Sequence, residues 1–248
     1  MTNRTLNRRW HRSGRLLAVL SVAAALAALS GCGVWQSLSV RDDSSSSVAV
    51  RAAVRPQAWA RSSEHPGPGF EIGYERYRAQ EARTLGAGES LSLSGQTLLG
   101  PDVMGQTATV RAAQVVYTHP FYPAEHFELE PFVGVANVKV RFRAEPASTL
   151  QRPELNAART AFVGGITPRG RLNDWLALEA RFSFIPLVDS NVYGRSIELA
   201  AVITPLPSVV LRVGHSQRRL GIDFDTNTSW TQLDVRARGP FANLQFEF

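Results

Sequence analysis

The sequence predicts an all-β chain: an eight-stranded antiparallel up-and-down transmembrane β-barrel placed after an export signal and a flexible linker. Three observations predict it. Apolar residues recur at period two from Gly69 to the end, the connections between these runs are long and short by turns, and an arginine-rich apolar leader opens the chain.

The leader is residues 1–31. It holds Arg4, Arg8, Arg9, Arg12 and Arg15, no acidic residue, and an apolar run over 16–30. That run is shorter than the ~20 residues of a spanning helix, and with its small-residue exit it has the form of a secretory signal peptide. The leader also explains the charge. The 248-residue chain carries a formal +6 and a pI near 10.2, values that point to nucleic acid. After residue 31 the balance is 22 basic against 21 acidic, so a nucleic-acid partner is not expected. The single cysteine, Cys32, excludes a disulfide framework and a multi-cysteine zinc cluster, and neither metal nor cofactor is expected.

Residues 32–68 read as a linker, with Asp42-Asp43 and the serine run 44–47 inside it and His65-Pro66-Gly67-Pro68 at its end. The third unit is 69–248. Its strands are expected near 69–79, 107–118, 127–143, 158–167, 172–186, 195–204, 208–217 and 230–248. In Trp175–Phe184, for example, Leu176, Leu178, Ala180, Phe182 and Phe184 alternate with Ala177, Glu179, Arg181 and Ser183. The longer connections, near 80–106, 144–157, 187–194 and 218–229, alternate with short ones near 119–126, 168–171 and 205–207. Membrane barrels have that asymmetry, with long outer loops and short periplasmic turns.

Two strands change parity. Phe127 and Leu129 are odd where Val138, Val140 and Phe142 are even; Leu233, Val235 and Ala237 are odd where Leu244, Phe246 and Phe248 are even. A one-residue slip exchanges the faces of a strand, so bulges are expected at Pro131 and Gly239-Pro240. If Gly239-Pro240 is a turn instead, a strand within Glu89–Leu99 makes a ten-stranded barrel the alternative.

The inward positions gather ionisable groups: Glu71, Glu75, Glu128, Glu130, Glu179, Arg181, Glu198, Arg212, Asp234 and Arg236. An eight-stranded lumen is just wide enough for side chains, so mutual salt bridges filling it are expected rather than a catalytic pair or a conducting pore. A nucleophile needs a base within reach, and His215-Ser216 are strand neighbours that point to opposite faces. His119 and His126 flank a turn with Tyr117, Phe121 and Tyr122, where an aromatic interface girdle explains them. No catalytic residue is assigned.

Leu29-Ser30-Gly31-Cys32 resembles the lipobox of bacterial lipoproteins. That resemblance implies that Cys32 is lipidated, that cleavage falls just before it, and that with Gly33 following it the mature protein goes to the outer membrane. The closing Leu244, Phe246 and Phe248 are similar to the C-terminal aromatic signal of small outer-membrane barrels, which the barrel insertion machinery reads. The expected partners are therefore outer-membrane lipid and the lipoprotein processing and barrel insertion machineries. The expectation is an outer-membrane lipoprotein with a structural or surface-interaction role through the loop at 80–106. The alternatives are a lipid-modifying outer-membrane enzyme and a lipocalin-like carrier of apolar ligands; Gly33-Val34-Trp35 resembles the first motif of the lipocalins.

Overall fold

A computed structural model describes residues 34–56, 67–186, 191–206, 208–226 and 229–248. The leader, Leu29, Ser30, Gly31 and Cys32 lie outside the described residues. The described chain is all-β, with thirteen strands: β1 Val34–Asp42, β2 Ser47–Val54, β3 Gly69–Leu85, β4 Ser90–Leu93, β5 Gln96–Leu99, β6 Asp102–Thr118, β7 Phe121–Ala124, β8 Phe127–Pro146, β9 Glu154–Arg171, β10 Leu176–Ile185, β11 Val192–Leu206, β12 Val209–Thr226 and β13 Ser229–Glu247.

Eleven of them form one large, mostly antiparallel sheet in the order β1-β13-β12-β11-β10-β9-β8-β6-β3-β2, with β7 attached to β8. Strand β13 is paired on both flanks. Along one it meets β12 antiparallel; along the other it meets β1 and then β2, both parallel. Strand β2 in turn pairs antiparallel with β3.

All eight expected strands are present, and most are longer than expected. Three expectations are corrected. Residues 34–54, read as linker, hold β1 and β2. The run Val48-Ala49-Val50-Arg51-Ala52-Ala53-Val54 alternates in exposure, but its two faces differ too little in polarity to show as a strand pattern. The strand count is neither eight nor ten: β4 and β5 form a separate two-stranded hairpin, and Gly239-Pro240 runs straight through β13. The expected long connection at 218–229 is mostly strand, with Thr226 and Ser229 already paired.

The parity changes are real, but no slip causes them. In β8 the buried residues are Glu128, Glu130 and Phe132, then Ala136, Val138, Val140, Phe142 and Ala144, and the register to β6 and β9 runs through without a shift. In β13 they are Leu233, Val235 and Ala237, then Phe241, Asn243 and Gln245. The same face stays buried while its chemistry inverts. Where the buried face is charged, the exposed face is apolar; where the buried face is apolar, the exposed face is polar. Strand β3 shows the change in one step, from exposed Phe70, Ile72 and Tyr74 to exposed Arg76 and Arg78. Neither Pro131 nor Gly239-Pro240 is a bulge in these ladders.

The apolar buried half forms the main core, with Leu38, Tyr77, Met104, Val140, Phe142, Leu220, Ile222, Phe224 and Leu233 among its members. The β4–β5 hairpin adds Leu91, Leu93 and Leu98 to the same cluster. Its two-residue turn, Ser94-Gly95, has both φ angles positive, the conformation that matches the twist of paired strands. The Ser94 hydroxyl donates to the Glu154 carbonyl and ties the hairpin to β9.

Candidate functional site

The charged layer occupies the buried face at the end of the sheet where β11 meets β12 and β13 finishes. Six glutamates and six arginines meet there in three groups. In the first, Arg169 bridges Glu128 at 3.4 Å and Glu179 at 2.7 Å, and Arg212 holds Glu179 at 3.0 Å and Gln245 at 2.8 Å. In the second, Glu71 joins Arg181 at 3.1 Å to Arg51 at 3.7 Å; Arg51 reaches Glu198 at 3.3 Å, and Arg218 ties Glu198 at 2.8 Å to Glu75. The third is Arg55 with Glu130 at 2.6 Å. Burial of so many ions is tolerable only because each has an opposite neighbour within bonding distance.

Aromatic rings mark the border with the apolar core. The Arg181 guanidinium lies 4.1 Å from the centre of the Phe132 ring, and that of Arg218 lies 5.5 Å from Tyr77 and 5.9 Å from Phe241. Ring faces are attractive to cations, so these contacts let a charged layer stack on an apolar one. At the opposite limit of the layer a cleft of about 530 Å³ opens among the short turns, lined by Glu128, Arg169, Trp175, Val202 and Glu247.

Eight of the ten charges expected inside are in this layer: Glu71, Glu75, Glu128, Glu130, Glu179, Arg181, Glu198 and Arg212. The other two are corrected. Asp234 and Arg236 lie on the exposed face between buried Leu233, Val235 and Ala237, where Asp234 bridges Arg236 at 3.1 Å and Arg219 at 2.9 Å. The expectation turns the apolar Leu233, Val235 and Ala237 toward lipid, but in this half of the strand the apolar face is the buried one. Four arginines were missed. Arg51 and Arg55 fall in the segment read as linker, Arg169 in the Pro-Arg-Gly-Arg segment read as a turn, and Arg218 just beyond the expected strand end. Arg169 and Arg218 continue the parity of their own strands, and strict extension of that parity finds them; Arg51 and Arg55 belong to a segment with no readable parity.

The residues weighed for catalysis do not converge. His215 is exposed and accepts a bond from Arg238 Nε at 3.2 Å, while Ser216 is buried on the opposite face. His119 stacks at 4.8 Å on Phe121 and bonds the Tyr117 hydroxyl at 3.1 Å, and Tyr117 meets Phe70 at 5.6 Å. Among the described residues no group of three potential metal ligands occurs. On the exposed polar half the shortest ion pair among the described residues is Glu154 with Arg141, at 2.7 Å. The Arg141 guanidinium, with the Asn156 amide, holds the Glu154 carboxyl down to about 2.

No protein-family profile, curated protein or solved structure matches this chain.

Proposed function

We propose that the chain is an outer-membrane β-barrel lipoprotein with a structural or surface-interaction role and no enzymatic activity. The observation that carries this reading is the inversion of the two faces along the long strands, most clearly β3, β8, β12 and β13. A half with an apolar exterior and a charged, self-neutralised interior suits lipid. A half with a polar exterior and an apolar interior suits water. Pairing of β13 with β2 supports closure of the sheet into a barrel, which removes the unpaired edges that hydrocarbon does not tolerate.

Dimensions support the same division. In β8 the exposed apolar stretch runs from Phe127 to Val135; nine residues at ~3.3 Å each, tilted by ~40°, stand about 23 Å tall, close to the ~25 Å apolar band of outer-membrane barrels. The whole strand has 20 residues, about twice that need. The lipid-embedded half is the one with the short turns, and the remainder projects from the membrane as a rigid, apolar-cored extension. Phe70, Tyr117, His119 and Phe121 form an aromatic girdle at its turn end. The salt-bridged layer and the apolar core above it fill the interior, which favours a sealed barrel over a conducting one. Lipidation of Cys32 rests on the lipobox resemblance alone: β1 begins two residues later at Val34, opposite Ser229, at the end of the strands remote from the apolar belt.

Two measurements test this. Membrane fractionation with gel mobility before and after heating is expected to place the chain in the outer membrane, with a compact band that shifts on boiling; a chain soluble without detergent sinks the proposal. Cys32→Ser is expected to abolish labelling by radioactive palmitate, and persistent labelling overturns the anchor.

A further inference from the structure

The exposed face carries cations in a register that the sheet itself disfavours. Arg76 of β3 stands directly opposite Arg111 of β6, and Arg111 stands directly opposite Lys139 of β8. All three are exposed, and among the described residues none forms an ion pair with a carboxylate. Like charges directly opposite on neighbouring strands, ~4.8 Å apart, destabilise a sheet, so a ladder of three calls for a compensating anion. Its position is as telling as its charge. The next exposed residues along the same strands are Tyr74, Ala113 and Asn137, and the ones after those are Ile72, Val115 and Val135. The ladder is thus the first charged row above the apolar belt.

A second ladder sits on four further strands. Arg195, Arg219, Arg236 and Arg41 are opposite one another across β11, β12, β13 and β1. Here Asp234 and Asp43 offset part of the charge. The surface is concave at both places: one depression is lined by Arg111, Lys139 and Arg141 with Glu154, the other by Arg41, Arg195, Arg219, Arg236 and Arg238 with Asp43. The opposite rim of the belt, at the short turns, mixes Glu125, His126 and Arg171 instead. Only one rim is a basic girdle.

We propose that this girdle binds the phosphate groups of lipid headgroups in the leaflet that surrounds the upper edge of the belt, with Arg76, Arg111 and Lys139 as its strongest site. Arginine guanidinium groups match phosphate oxygens with paired charge-assisted hydrogen bonds, and lysine adds a point charge. The location singles out a lipid phosphate, because the acyl chains of the same molecule would lie against Ile72, Val115 and Val135 below. The inference rests on the membrane reading.

The test uses the full chain folded in neutral maltoside micelles, titrated with lipid A, with dephosphorylated lipid A and with inorganic phosphate. Saturable binding of lipid A is expected, weakened at least about tenfold in Arg76→Gln/Arg111→Gln/Lys139→Gln, in line with loss of one charge-assisted contact or more. Arg83→Gln/Arg152→Gln, which changes cations away from the girdle, is expected to bind as the parent does. Equal affinity of parent and triple variant overturns the proposal. So does equal binding of the dephosphorylated lipid, or full competition by inorganic phosphate at matched phosphate concentration. A chain that remains soluble and monomeric without detergent overturns the membrane reading and this inference together, whereas a detergent-requiring chain with no phosphate preference overturns this inference alone. Thermal unfolding of parent and variant before lipid is added checks that both are folded; the variant is expected to be slightly more stable, since it loses like-charge repulsion.

Discussion

Glu179 shows what single residues do in the charged layer. Its side chain is 3% exposed and lies between Arg169 and Arg212, so each oxygen offsets a guanidinium that has left water. Removing one member of a buried ion group leaves its partners uncompensated, at a cost of about 3–5 kcal/mol. Glu179→Gln is therefore expected to lower the urea midpoint of the folded chain in micelles strongly. Glu154→Gln, which breaks a pair on the exposed face, is expected to leave it nearly unmoved. Equal effects would mean that the interior layer is hydrated and its pairing incidental. The residue types of this layer were legible early, because eight of its twelve charges sit in clear alternating runs. The four missed arginines lie at run ends and in a segment of weak contrast, where composition looks like turn or linker.

At the scale of elements, the hand-over from β1 to β2 is the least expected feature. Both strands pair with β13, and residues 43–46 make the jog between them. Asp42 holds it: its side chain accepts from Ser44 N at 2.8 Å and from Gln80 N at 3.0 Å, while the Ser45 hydroxyl donates to the Arg78 carbonyl at 2.8 Å. Gly239 of β13 faces the jog, and a Cβ there would fall on the Ser45 carbonyl oxygen. Gly239→Ala is expected to pry β1 and β2 from β13, seen as loss of the compact unheated band on gels. A variant that folds with parental yield would show that the approach can relax. The sequence offered a reason to look here, since Gly-Pro inside an alternating run is unusual. It read as a turn or a bulge because the partner that requires the glycine lies almost 200 residues earlier in the chain.

On the whole-molecule scale the inverted faces predict where charge is tolerated. Val133 and Asn137 are exposed-face positions of one strand, four residues apart, the first inside the apolar belt and the second at its edge. Val133→Arg is expected to lower stability in phosphatidylcholine vesicles by about 2–4 kcal/mol, and Asn137→Arg by about 1 kcal/mol or less. Equal responses at both positions would argue against a lipid boundary between them. The sequence by itself determined the all-β class, the order of eight principal strands and the residue types that make the charged layer, because period-two alternation is a local property. Only the tertiary structure decided which face of each strand is buried along its full length. Alternation marks two faces but does not label them, and here the apolar face changes sides while the backbone register runs on. It also decided that β1 and β2 join β13 across the length of the chain, since that pairing depends on contacts no local pattern encodes.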